Sequence, residues 1–195
     1  MKLIKKDTQN NYILYNLNYI KNNHNHFVEY ANLAHKRFQF AFGKTAKSST
    51  QYFRYYNFFQ LVTGSIHYHK LYEDLIKVVK DYVNTNEKLW LQCWINYHKK
   101  NEVLDWHYHK ECLLHGYISI LPQNTETHFE KYKIKNTVGN LYIGEPNKNH
   151  KVVNLSDFDD IRITLGFDVL NEKYYKDLTS SYVYPNSLIW VEYSS

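Results

Sequence analysis

The sequence has only two cysteines, Cys93 and Cys112, too few and too far apart for a disulfide scaffold or a CxxC motif. Both lie in segments with the pattern of β-strands, where a cysteine is most often a thiol of the core. The first residues, 1–7, contain no apolar stretch of the kind that a secretory signal needs. We therefore expect a protein of the reducing cytoplasm.

Long apolar runs and long basic tracts are also absent. No window approaches the length of a membrane-spanning helix, which argues against a membrane protein. The formal net charge is +5, but basic pairs such as Lys5-Lys6 and Lys99-Lys100 are too short to form a nucleic-acid-binding tract. The 20 tyrosines accompany many Asn and Lys residues, a composition typical of an AT-rich genome. The oligomeric state stays open.

Residues 1–86 differ in pattern from residues 87–195, and the two parts together have the length of one domain. Apolar residues at helical spacing predict helices over 27–42, ending at Gly43, and over 72–83. Residues 11–17 have the pattern of a short strand, and the aromatic stretch 52–62 fits a helix or a strand. We predict a helix-rich part, 1–86, that packs on the rest of the domain.

From residue 89 onward the apolar period changes to two, which predicts short strands separated by polar turns. The candidate strands are residues 89–97, 103–109, 115–121, 128–134, 140–144, 151–155, 162–169 and 187–193. About eight such strands favour a β-sandwich or a jelly roll. The predicted fold class is thus mainly β with a helical N-terminal cover.

Two of the eleven histidines, His107 and His109, are two residues apart at the end of a candidate strand. Side chains at i and i+2 of a strand point to the same face, so both imidazoles can bind one metal ion. His150, after the strand over 140–144, can supply a third ligand. His98, which precedes a Lys-Lys-Asn turn, is expected to be exposed.

Arg162 begins an otherwise apolar strand, where an unpaired guanidinium would be costly. Two partners are open: the carboxylate of a bound ligand, which the guanidinium fork fits, or an internal carboxylate such as Asp159 or Asp160. Thr164, two residues further on, lies on the same face and can add a hydroxyl hydrogen bond.

The order of these residues resembles the iron(II)- and 2-oxoglutarate-dependent oxygenases, and in particular their small bacterial and phage-type members with an HxH motif. The resemblance covers about residues 89 to 170, and its motifs are His107-x-His109, the run 116–121, Gly139-Asn140-Leu141, His150 and Arg162-x-Thr164. It implies a double-stranded β-helix of the cupin-like jelly-roll type. It also implies that His107 and His150 hold Fe(II), and that Arg162, Thr164 and Tyr97 bind 2-oxoglutarate.

The chain departs from the family pattern at His109, where most members have Asp or Glu as the third iron ligand. The preferred ligand set is His107, His109 and His150. The alternative takes Glu111 as the carboxylate ligand, in a shifted His109-x-Glu111 motif. Asp105 could compensate the missing charge without touching the metal. The other candidate pocket residues are Trp94, Tyr108, His115 and His128.

The resemblance implies a dioxygenase that hydroxylates a small molecule or a side chain and releases succinate and CO2. A three-histidine cupin dioxygenase without 2-oxoglutarate and a non-catalytic jelly-roll binding module stay open as alternatives. The sequence gives no substrate.

Overall fold

A computed structural model describes residues 1–43, 49–100, 102, 104–179 and 188–191. Ten strands and five α-helices are described, with one turn of 3-10 helix at Phe53–Tyr55. The strands are β1 Lys2–Asp7, β2 Tyr12–Asn16, β3 Leu89–His98, β4 Leu114–Leu121, β5 Thr125–Phe129, β6 Lys133–Lys135, β7 Asn140–Gly144, β8 His150–Asn154, β9 Arg162–Asn171 and β10 Leu188–Val191. The helices are α1 Asn18–Asn22, α2 His24–Phe42, α3 Phe58–Leu61, α4 Ile66–Val83 and α5 Glu172–Thr179.

The strands form two antiparallel sheets. The large sheet has seven strands in the order β1-β2-β7-β4-β9-β3-β10, and the small sheet has three in the order β6-β5-β8. β9 lies between β4 and β3, and its first residue, Arg162, pairs with His98. The N-terminal part of the chain contributes to the large sheet as well, because β2 pairs with β7.

Helices α1–α4 cover one face of the large sheet, and the main apolar core lies between these helices and the sheet. Ser65 caps α4 by accepting a hydrogen bond from the Tyr68 amide, and Asn84 ends that helix in the left-handed conformation (φ 47°). Gly43, with φ 86°, ends α2 as predicted. Phe27 and Phe38 of α2 are fully buried in this core, which also contains the alternate apolar residues of β3, β4 and β9.

The small sheet faces the other side of the large sheet. A second cluster of buried side chains links the two sheets near β7, and its members are mostly aromatic: Tyr12, Leu14, Tyr117, Phe129, Ile134 and Tyr142. Away from this cluster the space between the sheets is open and forms a cavity of about 800 Å³. Every helix within the described ranges is too short or too polar to cross a membrane.

Two details differ from the sequence-based predictions. Residues 128–134, predicted as one strand, are the ends of β5 and β6 with a turn between them, because the polar pair Glu130-Lys131 reverses the chain. The strand predicted over 103–109 is absent from its described part, 104–109, where only an isolated bridge between His107 and His150 occurs. Residue 103 and part of the predicted strand 187–193 lie outside the described residues.

Candidate metal centre

Four histidines from three parts of the chain converge at one end of the cavity. His107 and His109 lie on the segment between β3 and β4, His115 lies on β4, and His150 begins β8. The segment is tied to β8 by its backbone, since His107 and His150 exchange two N–H to O hydrogen bonds of 3.0 and 2.8 Å. The His109 amide also donates to the carbonyl of Pro146 at 2.9 Å. Backbone pairing therefore holds the histidines together without a regular strand.

Three of these imidazoles can bind one metal ion. His107, His109 and His150 each offer a ring nitrogen, and these nitrogen atoms lie within 4.8 Å of one another. The Nδ1 atom of His107 lies 2.7 Å from the carbonyl of Asp105, and that of His150 lies 2.9 Å from the carbonyl of Lys148. A carbonyl oxygen only accepts, so each Nδ1 carries the proton and each Nε2 presents its lone pair. This arrangement is typical of metal-binding histidines.

His109 is oriented in the same way, but by a carboxylate. Its Nδ1 atom lies 3.0 Å from Oδ2 of Asp168, and its Nε2 atom is buried without a hydrogen-bond partner among the described residues. A buried polar atom without a partner is costly, and a metal ion would satisfy it. The donor set therefore fits a divalent transition metal such as Fe(II).

A second group of close ligand atoms consists of His109, His115 and Asp168. Here Nδ1 of His115 lies 2.8 Å from Oδ1 of Asp168, and the rings of His115 and His109 stack with centroids 3.6 Å apart. Because the Nδ1 atoms of this group already hydrogen-bond Asp168, we interpret it as the support of the metal site. The group with His107 and His150 is the stronger candidate for the metal site, because no hydrogen bond to the Nε2 atoms of these two histidines is seen within the described structure.

The pKa values favour the neutral forms of His115 and His150 and the ionised form of Asp168. Burial lowers the pKa of His115 to about 4 and holds that of His150 far below its usual value. Burial would raise the pKa of Asp168, but the attraction of His109 and the hydrogen bonds of His109 and His115 outweigh it. The pKa of Asp168 is therefore held below its usual range.

Arg162 lies toward the other end of the cavity and is 1% exposed. One of its terminal nitrogens donates to Nδ1 of His98, and the other lies 3.5 Å from the hydroxyl of Thr164. No carboxylate pairs with it in the described part of the chain, so the alternative of an ion pair with Asp159 or Asp160 is not seen. Burial lowers the pKa of Arg162 to about 10, which leaves the guanidinium charged at neutral pH.

His98 is buried, not exposed as its position before a polar turn predicts. It pairs with Arg162 across β3 and β9, and its ring contacts the guanidinium. Since an arginine can only donate, Nδ1 of His98 accepts and Nε2 carries the proton, 3.3 Å from the hydroxyl of Thr50. Burial, followed by the charge of Arg162, lowers the pKa of His98 to about 3.

The structure brings most of the predicted site residues to this cavity. The predicted site residues that line it are Trp94, His107, Tyr108, His109, Glu111, His115, His150, Arg162 and Thr164. Glu111 has a positive φ of 59° and belongs to neither group of close ligand atoms. The structure therefore offers His109 rather than Glu111 beside His107 and His150.

Three predicted residues lie elsewhere. Tyr97 points to the opposite face of β3, where its hydroxyl donates to Asn32 at 3.0 Å and its ring stacks on His35. His128 lies on β5 away from the cavity and pairs with Glu126 at 2.9 Å. The carboxylate of Asp105 accepts from the Trp106 amide, and only its backbone carbonyl touches His107.

Asp168 is the residue that sequence reasoning missed. The signal was present, because Asp168 follows Arg162 and Thr164 at even spacing on the same strand and therefore lies on the same face. Gly166, between them, leaves room for the indole of Trp94: a Cβ atom there would lie 2.5 Å from the ring. Because apolar residues alternate with these positions, the strand has an apolar composition overall, and its polar face is easily overlooked.

Comparisons with known proteins give the fold. No protein-family model and no curated protein matches the sequence. Among solved structures, the non-heme alpha-ketoglutarate-dependent epimerase SnoN from nogalamycin biosynthesis is similar over 96% of this chain and 93% of its own, with 9% identity and a TM-score of 0.55. An oxidoreductase of the 2OG-Fe(II) oxygenase family from Burkholderia pseudomallei is similar over 53% of this chain, with 13% identity and a TM-score of 0.42. The chain spans 58% of the length of that oxidoreductase.

A cupin from Methanocaldococcus jannaschii with a double-stranded β-helix fold is also similar, with 15% identity over 45% of this chain and 76% of its own, and a TM-score of 0.36. The fold of this protein is a double-stranded β-helix of the jelly-roll type with helices on one face, which confirms the predicted fold class. Identities this low show the fold alone.

Proposed function

We propose that this protein is an Fe(II)- and 2-oxoglutarate-dependent dioxygenase that oxidises a small molecule or a side chain. In this proposal His107, His109 and His150 hold the iron, and Arg162 with Thr164 binds the far carboxylate of 2-oxoglutarate. The observation that carries it is the buried Arg162, which shares a cavity with the histidine cluster and has no carboxylate partner in the described structure.

A dicarboxylate ligand would solve the energetic problem of Arg162. A buried cation without a counter-charge is strongly destabilising, and its contacts with His98 and Thr164 supply no negative charge. The guanidinium has five N–H groups, so donors remain for a ligand carboxylate. Arg162 lies six residues from Asp168 on β9, so the anion-binding group and the metal-binding group stand at different ends of the cavity. A ligand that joins them needs an anionic group at its far end.

The chain itself would prepare the site in two ways. The carbonyls of Asp105 and Lys148 and the carboxylate of Asp168 fix the ring nitrogens that face the metal. The indole of Trp94 lines the cavity beside Gly166 and is held in place by its N–H, which donates to Asn96 at 3.2 Å. When bound, iron and 2-oxoglutarate supply with O2 the oxidising power that breaks a substrate C–H bond, with release of succinate and CO2.

The solved epimerase that shares this fold over nearly the whole chain is alpha-ketoglutarate dependent, which is compatible with the proposal. One observation favours a second candidate, a three-histidine dioxygenase without 2-oxoglutarate. All three candidate ligands are imidazoles. Among the described residues, no carboxylate belongs to the group of close ligand atoms that contains His107 and His150. In that case Arg162 would hold a carboxylate of the substrate itself.

An anaerobic titration separates these candidates. The metal-free protein receives Fe(II) and then 2-oxoglutarate, while the visible charge-transfer band of the chelate is recorded. We expect a saturable band in the native protein. Changing Arg162 to Leu should raise the 2-oxoglutarate dissociation constant at least about 100-fold, because a desolvated charge pair is worth several kcal/mol, and should leave Fe(II) affinity nearly intact.

Arg54→Leu is the matched control, since Arg54 lines the same cavity but is only partly buried. It should bind 2-oxoglutarate within about threefold of the native protein, because a charge that is partly exposed to water contributes less than a fully buried one. Iron binding without a band would favour the three-histidine dioxygenase. A protein that binds no iron would contradict both.

A further inference from the structure

We propose that Asp168 is a positioning residue that supplies, through His109, the negative charge that a ligand set of three neutral imidazoles lacks. The inference deepens the proposed function and rests on its metal site, though not on 2-oxoglutarate. The chain has a histidine where a ligand carboxylate is expected, and the structure places a carboxylate directly behind that histidine.

The carboxylate of Asp168 contacts two imidazoles and the thiol of Cys112. It is 5% exposed, and its two oxygens lie 3.0 Å from Nδ1 of His109 and 2.8 Å from Nδ1 of His115. No lysine or arginine of the described structure forms an ion pair with it. A buried carboxylate is strongly unfavourable unless a positive charge balances it, and His109 and His115 supply none while both rings are neutral. A cation bound to the opposite nitrogen of His109 would supply it.

His109 is the ligand that can transmit this charge. Its Nε2 atom is a buried ring nitrogen without a partner in the described structure, and the same imidazole donates through Nδ1 to Asp168. A carboxylate behind a metal-binding histidine fixes the tautomer and raises the basicity of the opposite nitrogen. His107 and His150 are backed by neutral carbonyls. Asp168 therefore makes the three ligands unequal.

His115 completes the support from the side. It occupies the second oxygen of Asp168 and stacks on His109 with ring centroids 3.6 Å apart. The carboxylate consequently cannot rotate away from His109 without losing a hydrogen bond. His115 does not belong to the close ligand group of His107 and His150, which is consistent with a supporting role.

The test compares Asp168→Asn with Glu126→Gln. Glu126 also pairs with an imidazole, that of His128 at 2.9 Å, but outside the cavity. The side-chain amide introduced by D168N would offer one acceptor and one donor, so one of the two imidazoles would have to change its tautomer. Long-range ¹H–¹⁵N NMR of the metal-free proteins reports the tautomers, and titration with Co(II) reports affinity and the visible ligand-field bands.

We expect D168N to lose the uniform Nδ1–H state of His109 and His115, to bind Co(II) about 10–100-fold more weakly, and to shift the ligand-field bands. E126Q should change none of these. Unaltered Co(II) affinity and bands in a folded D168N protein would overturn the proposal. If D168N does not fold, Asp168→Ser removes the charge with a smaller side chain, and unaltered Co(II) affinity and bands in that variant would overturn the proposal equally. Failure of 2-oxoglutarate binding alone would contradict the proposed function and leave this result standing.

Discussion

The two faces of the large sheet use alternate residues of the same strands for different purposes. The helix-covered face of β9 is apolar and belongs to the main core: Ile163, Leu165, Phe167 and Val169. The cavity face of β9 carries the polar positions: Arg162, Thr164 and Asp168. One face therefore stabilises the fold, and the other buries charges at a cost in stability. Substitutions of neighbouring residues should separate the two effects.

The largest effect is expected from Phe167→Ala, which tests the apolar face. The ring of Phe167 fills the space above Gly116, where a Cβ atom would lie only 2.1 Å from it. Its removal leaves a void, so the free energy of unfolding should fall by about 3–5 kcal/mol, as measured by urea denaturation. Co(II) affinity of the folded fraction should stay unchanged. A small loss of stability with weakened metal binding would reverse the roles assigned to the two faces.

A smaller effect concerns the cavity face and depends on pH. The pKa of His98 is lowered in the folded protein to about 3, so the unfolded chain binds the proton more readily. The contribution of neutral His98 to the free energy of unfolding is fully present above pH 6.5, which is about the usual pKa of histidine. It is lost as the pH falls from there toward 3. At pH 5 the loss amounts to about 2 kcal/mol.

Urea denaturation of the metal-free protein at pH 7.5 and pH 5 measures this loss, with His98→Gln as the comparison. Glutamine still offers Arg162 an acceptor but does not titrate, so the variant should lose about 2 kcal/mol less between the two pH values. Other buried histidines contribute equally to both proteins. Parallel pH profiles would show that His98 is not the neutral acceptor of Arg162.

The smallest effect is expected for Tyr97→Phe, which tests a residue that the family resemblance assigns to 2-oxoglutarate. The hydroxyl of Tyr97 donates to Asn32 on the helix-covered face. Its loss should reduce the free energy of unfolding by about 0.5–1.5 kcal/mol. The 2-oxoglutarate dissociation constant should not change. A marked increase in that constant would place Tyr97 in the co-substrate site after all.

The spacing of apolar residues along the sequence predicts many of the strands and the face of the sheet on which some site residues lie. Alternation with period two gives the strand over 140–144 at its observed bounds and places Arg162 and Thr164 on one face. It does not reveal which strand lies beside which. The pairing of His98 with Arg162 and of His115 with Asp168 follows from the register of neighbouring strands. A strand has two faces, and period alone does not say that Tyr97 points to the helices.

Two other features have no local signal. The segment with His107 and His109 is held by hydrogen bonds to β8 and to Pro146, which are distant in sequence. The edge strand β1 is almost fully exposed, so it carries no apolar alternation by which to recognise it. In both cases tertiary contacts determine a backbone conformation that the local sequence does not encode.

The pairing of β2 with β7 has a consequence for how the chain is made. Tyr12 finds its partner Gly144 only after most of the chain has been synthesised. At roughly 5–20 residues per second, β2 waits on the order of ten seconds on the ribosome before its second neighbour in the sheet, β7, has been made. Contacts of such long range also slow folding, because the entropy of the intervening loop is lost first. The exposed lysines of β1, which pairs locally with β2, would discourage association with other nascent chains during that interval.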